Sequence, residues 1–581
     1  MTRTFLNVER SVLGHLWVGP TVEEDRLAEA MAQQTRLPMA LCHTLVRRGV
    51  TPADAAAFLS PVLRDLLPDP LTLRDMAPAT ERFLRAVKSR ERIAIFADYD
   101  VDGGSSAALL IIWLRAMGRP ATLYIPDRID EGYGPNVPAM AALGAAHDLI
   151  ICVDCGTLSH DPIAAAGCDV IVLDHHLGGE TLPAAVAVVN PNRQDESGDL
   201  GHLCAASVVF LMLVEANRRL RAADVHGPDL MAMLDLVALA TVADVAPLIG
   251  VNRALVRQGL RVMARRDRVG LVALADVARM DQAPTPYALG FVLGPRVNAG
   301  GRIGQADLGA RLLATDDPRE AAAMAARLDQ LNTERRDITE RVREEAMAQA
   351  EARGLDAPLI WAAAEGWHPG VVGIVAARLK EAFNRPAIVI GLESDEGKGS
   401  GRSVAGVDLG AAVHRVAAEG LLIKGGGHKM AAGLSVARPK LEAAMARLSD
   451  LLGRQGAGSE GPRALRIDSL LMPSAATAGF VEQLEAAGPF GQGAPAPRFA
   501  FADVSVVPRR IGEKHLKLAI SDGMGAQIEA MAFGAYDTPL GPALDGAGHR
   551  RFHLAGRLEL NHWGGRTKVQ LRLEDAAPAT D

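Results

Sequence analysis

Seven residues stand where the sequence could do chemistry: Asp98, Asp100 and Asp102 in IAIFADYDVDGG (93–104), Asp154 in DLIICVDCGT (148–157), and Asp174, His175 and His176 in DVIVLDHHLGG (169–179). Each segment is an apolar run that meets aspartate at its end. In a parallel sheet such runs are buried strands, and their C-terminal ends open onto the crevice where α/β folds bind ligands. A helical stretch, LDLVALATVADVAPL, adds Asp244. A lone Asp after a strand is ordinarily a turn residue or a helix N-cap. Three acid-bearing strand ends and an Asp-His-His run imply a shared site. Crowded carboxylates repel one another and resist desolvation unless cations bind among them, so the cluster implies metal. Oxygen ligands with one or two imidazoles and no thiolate suit Mn²⁺ or Mg²⁺ better than structural zinc. Two ions bridged by an aspartate would suit phosphoester hydrolysis. Cys152 and Cys155 form a CxxC without a second pair nearby, which reads as core packing.

The elements that must position these residues follow from the pattern along the chain. Residues 1–78 read as a helical segment punctuated by prolines. From 79 to 275 short apolar runs alternate with Ala- and Leu-rich helical stretches, the pattern of a parallel sheet. Residues 276–353 carry a further motif and end in a charged helix over 318–353 without internal Pro or Gly. A second α/β unit spans 354–456, with strands at 358–363 and 386–392 and Gly-rich turns at 397–401 and 425–427. A Gly-rich linker covers 453–464, and partly alternating segments in 463–577 suggest a small antiparallel barrel. The 581 residues exceed what one core supports, and 49% hydrophobic with 23% charged residues is ordinary for a globular protein. A net charge of -7 excludes a basic nucleic-acid coat, so phosphate contacts must come from local patches. The start lacks a secretory pattern, no apolar run of about 18 residues occurs, and the five cysteines are sparse, so a cytoplasmic protein without membrane association is expected.

DYDVDG, VDCG, LDHH, ATVADVAPL and GPRVNAGGRIG, in that order, resemble the motifs of the DHH phosphoesterase family as they occur in its RecJ-like exonucleases. The resemblance runs from about residue 80 to 575. It implies a parallel-sheet DHH domain, a second α/β DHH-associated domain joined by a long helix, and a C-terminal OB-like β-barrel. It also implies a two-manganese centre, with magnesium the alternative, held by Asp98, Asp100, Asp102, Asp154, His175 and Asp244. Asp154 would bridge, and His176 would act on the scissile phosphate. Asp98 could instead orient the other acids, and Asp174 could be structural. By the same resemblance Arg128 would grip a 5′-terminal phosphate and Tyr133 would stack on a base. Arg296, Asn298 and Arg302 of GPRVNAGGR would contact substrate, with an ion pair as the competing role for Arg296. Ser400, Arg402 and the loop Gly425, Gly426, Gly427 and His428 would bind the DNA backbone. His368 reads as a capping or packing residue. Arg509, Arg510, Lys514, Lys517, Arg566 and Lys568 would form the basic groove of the barrel.

The activity so implied is 5′-to-3′ hydrolysis of single-stranded DNA to mononucleotides in recombination and repair. The implied setting is a monomer working with a RecQ-type helicase and a single-strand-binding protein. Competing readings are a DHH phosphodiesterase for short oligoribonucleotides, against which chain length argues, a manganese pyrophosphatase, and a non-catalytic DNA-binding scaffold, whose relatives usually lose metal ligands.

Overall fold

The computed structural model describes residues 4–127, 131–458, 463–563 and 566–579. Two compact units make up the chain. One comprises Pro68–Ala246 with Gln258–Glu460, the other Met1–Leu67, Pro247–Arg257 and Gly461–Asp581.

In the first unit, β1 (Ile93–Ala97), β2 (Ala121–Tyr124), β3 (Leu149–Val153), β4 (Asp169–Leu173) and β5 (Ala187–Val189) form one sheet in the order β2-β1-β3-β4-β5. Every pairing in it is parallel. β1 and β3 are buried along their whole length, which is why they read as continuous apolar runs. Helices α1 (Val101–Ala116), α2 (Ala205–Ala222), α3 (Leu234–Ala243) and α4 (Gly294–Ile303) supply the loops and termini beside the acids, and α5 (Pro318–Arg353) is the expected long helix.

The second α/β region of this unit is a mixed sheet. It contains β6 (Ile360–Glu365), β7 (Ala387–Glu393), β8 (Glu396–Arg402), β9 (Lys424–His428) and β10 (Ala431–Ala437), in the order β9-β10-β8-β7-β6. The Gly-rich stretches 397–401 and 425–427, expected as turns, are strands instead. Packing explains their composition. A Cβ on Gly399 would lie 2.8 Å from Ile390 and 3.0 Å from Leu434, and one on Gly425 would lie 2.7 Å from Val413. Glycine is kept because the neighbours leave no room for a side chain.

The second unit is built on a closed barrel. Strands β11 (Ser469–Leu470), β12 (Phe499–Ile511), β13 (His515–Ser521), β14 (Gln527–Ala532), β15 (Phe552–Trp563) and β16 (Arg566–Pro578) run in the order β11-β12-β13-β14-β16-β15, and β12 pairs with β15 to close it. The barrel is not wholly antiparallel, since β14 and β16 pair in parallel. The N-terminal segment shares its core. A short strand, Leu16–Val18, pairs in parallel with Ala464–Arg466. Trp17 is fully buried against Ile467, Ala500, Ala555 and Ala577. Its Nε1 donates to Asp575 Oδ2 at 3.0 Å, and His15 Nδ1 meets the same oxygen at 3.0 Å.

Asp575→Ala leaves the Trp17 indole N–H buried without its acceptor. A loss of about 1–3 kcal/mol is expected, read from the urea transition of this unit, and an unchanged transition would contradict the assignment.

Candidate metal centre

Strand register brings the acids to one level. Ala97 stands opposite Val153, and Val153 opposite Leu173, so Asp98, Asp154 and Asp174 are each the first residue past an aligned strand end. Asp100 caps α1, accepting from the N–H groups of Asp102 at 2.8 Å and Gly103 at 3.2 Å. Gly103 is required there, because a Cβ would lie 2.3 Å from the Asp98 carbonyl oxygen. Asp102 is fully buried and caps α2, its two oxygens accepting from Ala205 N at 2.7 Å and Ala206 N at 2.8 Å. Asp244 closes α3 as its C-cap, where a carboxylate meets the negative end of the helix dipole.

His175 Nε2 faces three carboxylates: Asp154 Oδ1 at 3.2 Å, Asp102 Oδ2 at 3.7 Å and Asp244 Oδ2 at 3.7 Å. Three overlapping donor groups result, Asp98–Asp100–Asp154, Asp102–His175–Asp244 and Asp154–His175–His176, each with ligand atoms within 4.8 Å of one another. Asp154 is nearly fully buried and takes a positive φ of 58°, a strained backbone for a residue with a side chain. Its Oδ1 is buried and receives no hydrogen bond. Burial, then the charges of Asp102, Asp100, Asp98 and Asp244, push the Asp154 carboxyl well above the usual range. Burial and the neighbouring acids Asp102 and Asp100 lift Asp244 to about 9, and burial leads the rise of Asp102. An orphaned buried oxygen among carboxylates that cannot all ionise together is the environment a divalent cation relieves. The residues present therefore fit an oxygen-preferring cation with imidazole in its shell.

Asp174, between the strand and the histidines, is a structural acceptor. Its Oδ2 accepts from Thr157 N (3.0 Å) and Thr157 Oγ1 (2.7 Å), and its Oδ1 from His175 N (2.7 Å), His176 N (3.2 Å) and His176 Nδ1 (2.8 Å). Burial alone would raise this carboxyl, but the bonds and the charge of His176 hold it well below the usual range. Burial opposes charge on His176 too, yet Asp174, Asp98 and Asp244 raise that imidazole to about 9. Its Nε2 is 3.1 Å from Tyr133 Oη. Burial and the charges of Asp98 and Asp154 push the Tyr133 phenol upward, so it stays protonated. Sequence reasoning missed Asn190 and Asn192, which brace this turn. Asn190 Nδ2 donates to His176 O (2.7 Å) and Thr157 Oγ1 (2.8 Å), and Asn192 Nδ2 donates to His175 O (2.6 Å). The available signal was VVNPNR, another apolar run ending in a polar residue.

The other expected site residues fall into separate groups. Arg128 lies outside the described residues, as does the side chain of Arg566. Asn298 Oδ1 accepts from Val101 N at 2.9 Å, and Gly301 of the same helix leaves no room for a Cβ beside the Tyr99 ring. GPRVNAGGRIG thus clamps the loop that carries Asp98, Asp100 and Asp102. Arg296 is tied to Asp329 on α5 at 2.8 Å, and Arg302 Nη1 donates to Gly370 O at 3.1 Å. His368 caps its helix by accepting from Gly370 N. On the second sheet, register puts Ser400, Gly433 and Gly426 in one row and Arg402, Ala431 and His428 in another two residues along. Arg402 Nη1 donates to Ser400 Oγ at 3.0 Å. Gly425 and Gly427 lie in the same strand as Gly426. In the barrel, Arg509 stands opposite Lys517, and Lys517 and Lys568 both approach Glu529. Arg510 lies over the Tyr536 ring, and Lys514 faces Asp537 at 3.8 Å. Cys152 and Cys155 are buried in the core of the first sheet.

Comparison with known proteins agrees with this geometry. The family profile "DHH family, N-terminal domain" matches residues 92–241, "DHHA1 domain" matches 356–454 and "RecJ OB domain" matches 467–575. The fold is that of the DHH class. The single-stranded-DNA-specific exonuclease RecJ of Dickeya dadantii is 39% identical over 564 residues, covering 93% of this chain and 96% of that protein. RecJ of Thermus thermophilus in complex with Mn²⁺ superposes with a TM-score of 0.80 at 30% identity, over 96% of this chain and 79% of that one. The same protein with Mg²⁺ gives 0.73 at 28% identity, over 97% and 78%. The chain belongs to the RecJ family. Among the described residues no helix is long and apolar enough to cross a membrane.

Asp174→Asn removes acceptor capacity from the turn that aims both histidines. Metal affinity or activity should fall about 10–100-fold, measured by Mn²⁺ titration and single-turnover cleavage. A variant equal to wild type would show that the turn holds without it. In the metal-free protein, the raised His176 value of about 9 means that its stabilising charge is complete below the unfolded value of about 6.5 and is lost as pH rises through 9. The melting temperature should therefore decline over that interval, and less so in His176→Asn. An equal decline in both proteins would refute the linkage.

Proposed function

We propose that this chain is a metal-dependent exonuclease that hydrolyses single-stranded DNA from its 5′ end to mononucleotides, in recombination and repair. The observation that carries the reading is the convergence of Asp98, Asp100, Asp102, Asp154, His175 and Asp244 at register-matched strand ends. The RecJ relatives, named as exonucleases specific for single-stranded DNA, and the barrel matched as a RecJ OB domain support the choice of substrate.

Asp98, Asp100, Asp102, Asp154, His175 and Asp244 would hold Mn²⁺ or Mg²⁺, and the donor set has room for two ions. Bound cations supply Lewis-acid stabilisation of the phosphate and lower the pKa of a water nucleophile. The chain does the rest. Asp174 keeps His176 charged and aimed, so that the imidazolium can stabilise developing negative charge on the phosphate. Asn298, and Arg296 through α5, fix the aspartate loop. Arg128 binds the terminal phosphate, Tyr133 offers a ring face to a base, and Ser400, Arg402 and the strand Gly425, Gly426, Gly427 and His428 hold the backbone. Arg509, Arg510, Lys514, Lys517 and Lys568 guide the strand over the barrel. We assign the protein to the cytoplasm as a monomer, working with a RecQ-type helicase and a single-strand-binding protein.

Cleavage with Mn²⁺ should release mononucleotides first from a 5′-labelled end of single-stranded DNA and leave duplex and RNA largely intact. Early release from a 3′ end, or a preference for dinucleotides, would overturn the reading. Asp154→Ala should abolish cleavage and keep DNA binding. A wild type inactive with Mn²⁺ yet competent to bind would identify a scaffold instead.

A further inference from the structure

Tyr133 sits between two glycines in EGYGP, and both take the left-handed backbone, Gly132 with φ 92° and Gly134 with φ 73°. The segment around it is pinned by Glu131. That carboxylate accepts from Tyr124 Oη at 2.6 Å, from Asp127 N at 3.0 Å and from Asn136 Nδ2 at 3.3 Å. Tyr133 is 57% exposed as a residue, yet its hydroxyl reaches back to His176 Nε2 at 3.1 Å. The two rings meet edge to face, 6.0 Å apart at 72°. His176 has only two polar ring atoms, and Asp174 takes the other at 2.8 Å. The imidazole is therefore held at both ends, by a buried carboxylate on one side and a phenol on the other.

We propose that Tyr133 is a positioning residue for His176: its hydroxyl fixes the imidazole that acts on the phosphate, while its exposed face receives a base of the same strand. A single side chain then ties occupancy by the strand to placement of the catalytic ring. Glycine on either side suits this double task, because a residue aimed both outward and back toward the strand ends needs a chain path that turns sharply before and after it. An exposed aromatic whose only task was stacking would gain nothing from a hydroxyl at this distance from His176.

The inference rests on the nuclease reading above, and the experiment separates the two. Tyr133→Phe keeps the ring and deletes the hydroxyl. It should lower kcat about tenfold, the effect of losing one hydrogen bond, with KM unchanged. Its affinity for an uncleavable phosphorothioate strand, read by fluorescence anisotropy, should equal that of wild type. Tyr133→Leu should lose both kcat and strand affinity. The decisive comparison is a double-mutant cycle: in a His176→Ala background, Tyr133→Phe should cost nothing further, because the hydroxyl acts through the imidazole. A Tyr133→Phe enzyme with wild-type kcat, or a full additional loss on top of His176→Ala, overturns the proposal and leaves the nuclease reading standing. An inactive wild type overturns both.

Discussion

Mutual repulsion among carboxylates at the ends of parallel strands is the constraint on which this active centre depends. Asp98, Asp154 and Asp174 arrive together because β1, β3 and β4 pair in register and each apolar run stops at the same level. Asp102 and Asp244 are added from helices. Asp174 is satisfied within the chain by donors from Thr157, His175 and His176. The remaining acids are left with more negative charge than a buried site holds without cations. The helix caps and the Asn298 clamp then serve to keep that unfavourable arrangement fixed. The strained φ of Asp154 belongs to the same account, since backbone strain persists where surrounding structure over-determines it.

The histidine pair divides the labour. His175 faces the clustered acids, with Nε2 within 3.7 Å of three carboxylates. His176 is bonded to Asp174 and Tyr133 while remaining 3.9 Å from Asp154. Adjacent residues reach different hydrogen-bond partners because the chain has left the strand and follows a turn stapled by Asn190 and Asn192. Rotating this turn by even one residue would exchange the surroundings of the two imidazoles, and many donors converge on it to prevent that.

Much of this was legible in the sequence. Strand-end acids are readable because burial forces an apolar run and ligand binding forces its polar ending, and both leave marks within a dozen residues. The long helix 318–353 was legible for a similar reason, since no Pro or Gly interrupts it. What stayed hidden depends on distant partners. Nothing local distinguishes Asn190 as a brace for His176, or Asn298 as the acceptor for the Val101 N–H. The glycines at 397–401 and 425–427 suggest turns by composition, but their cause is Ile390, Leu434 and Val413, residues on other strands and a helix. The shared core of the N-terminal segment and the barrel likewise joins Trp17 to Asp575 across almost the whole chain.

The central claim is that the acids are held together by cations that replace protons. Calorimetric titration of Mn²⁺ into the metal-free protein near pH 7, repeated in buffers of different ionisation enthalpy, measures both binding and the protons exchanged. With Asp244 near 9 and Asp154 and Asp102 also raised, Mn²⁺ should bind with net release of protons. Binding without proton release, or no binding, would contradict the account.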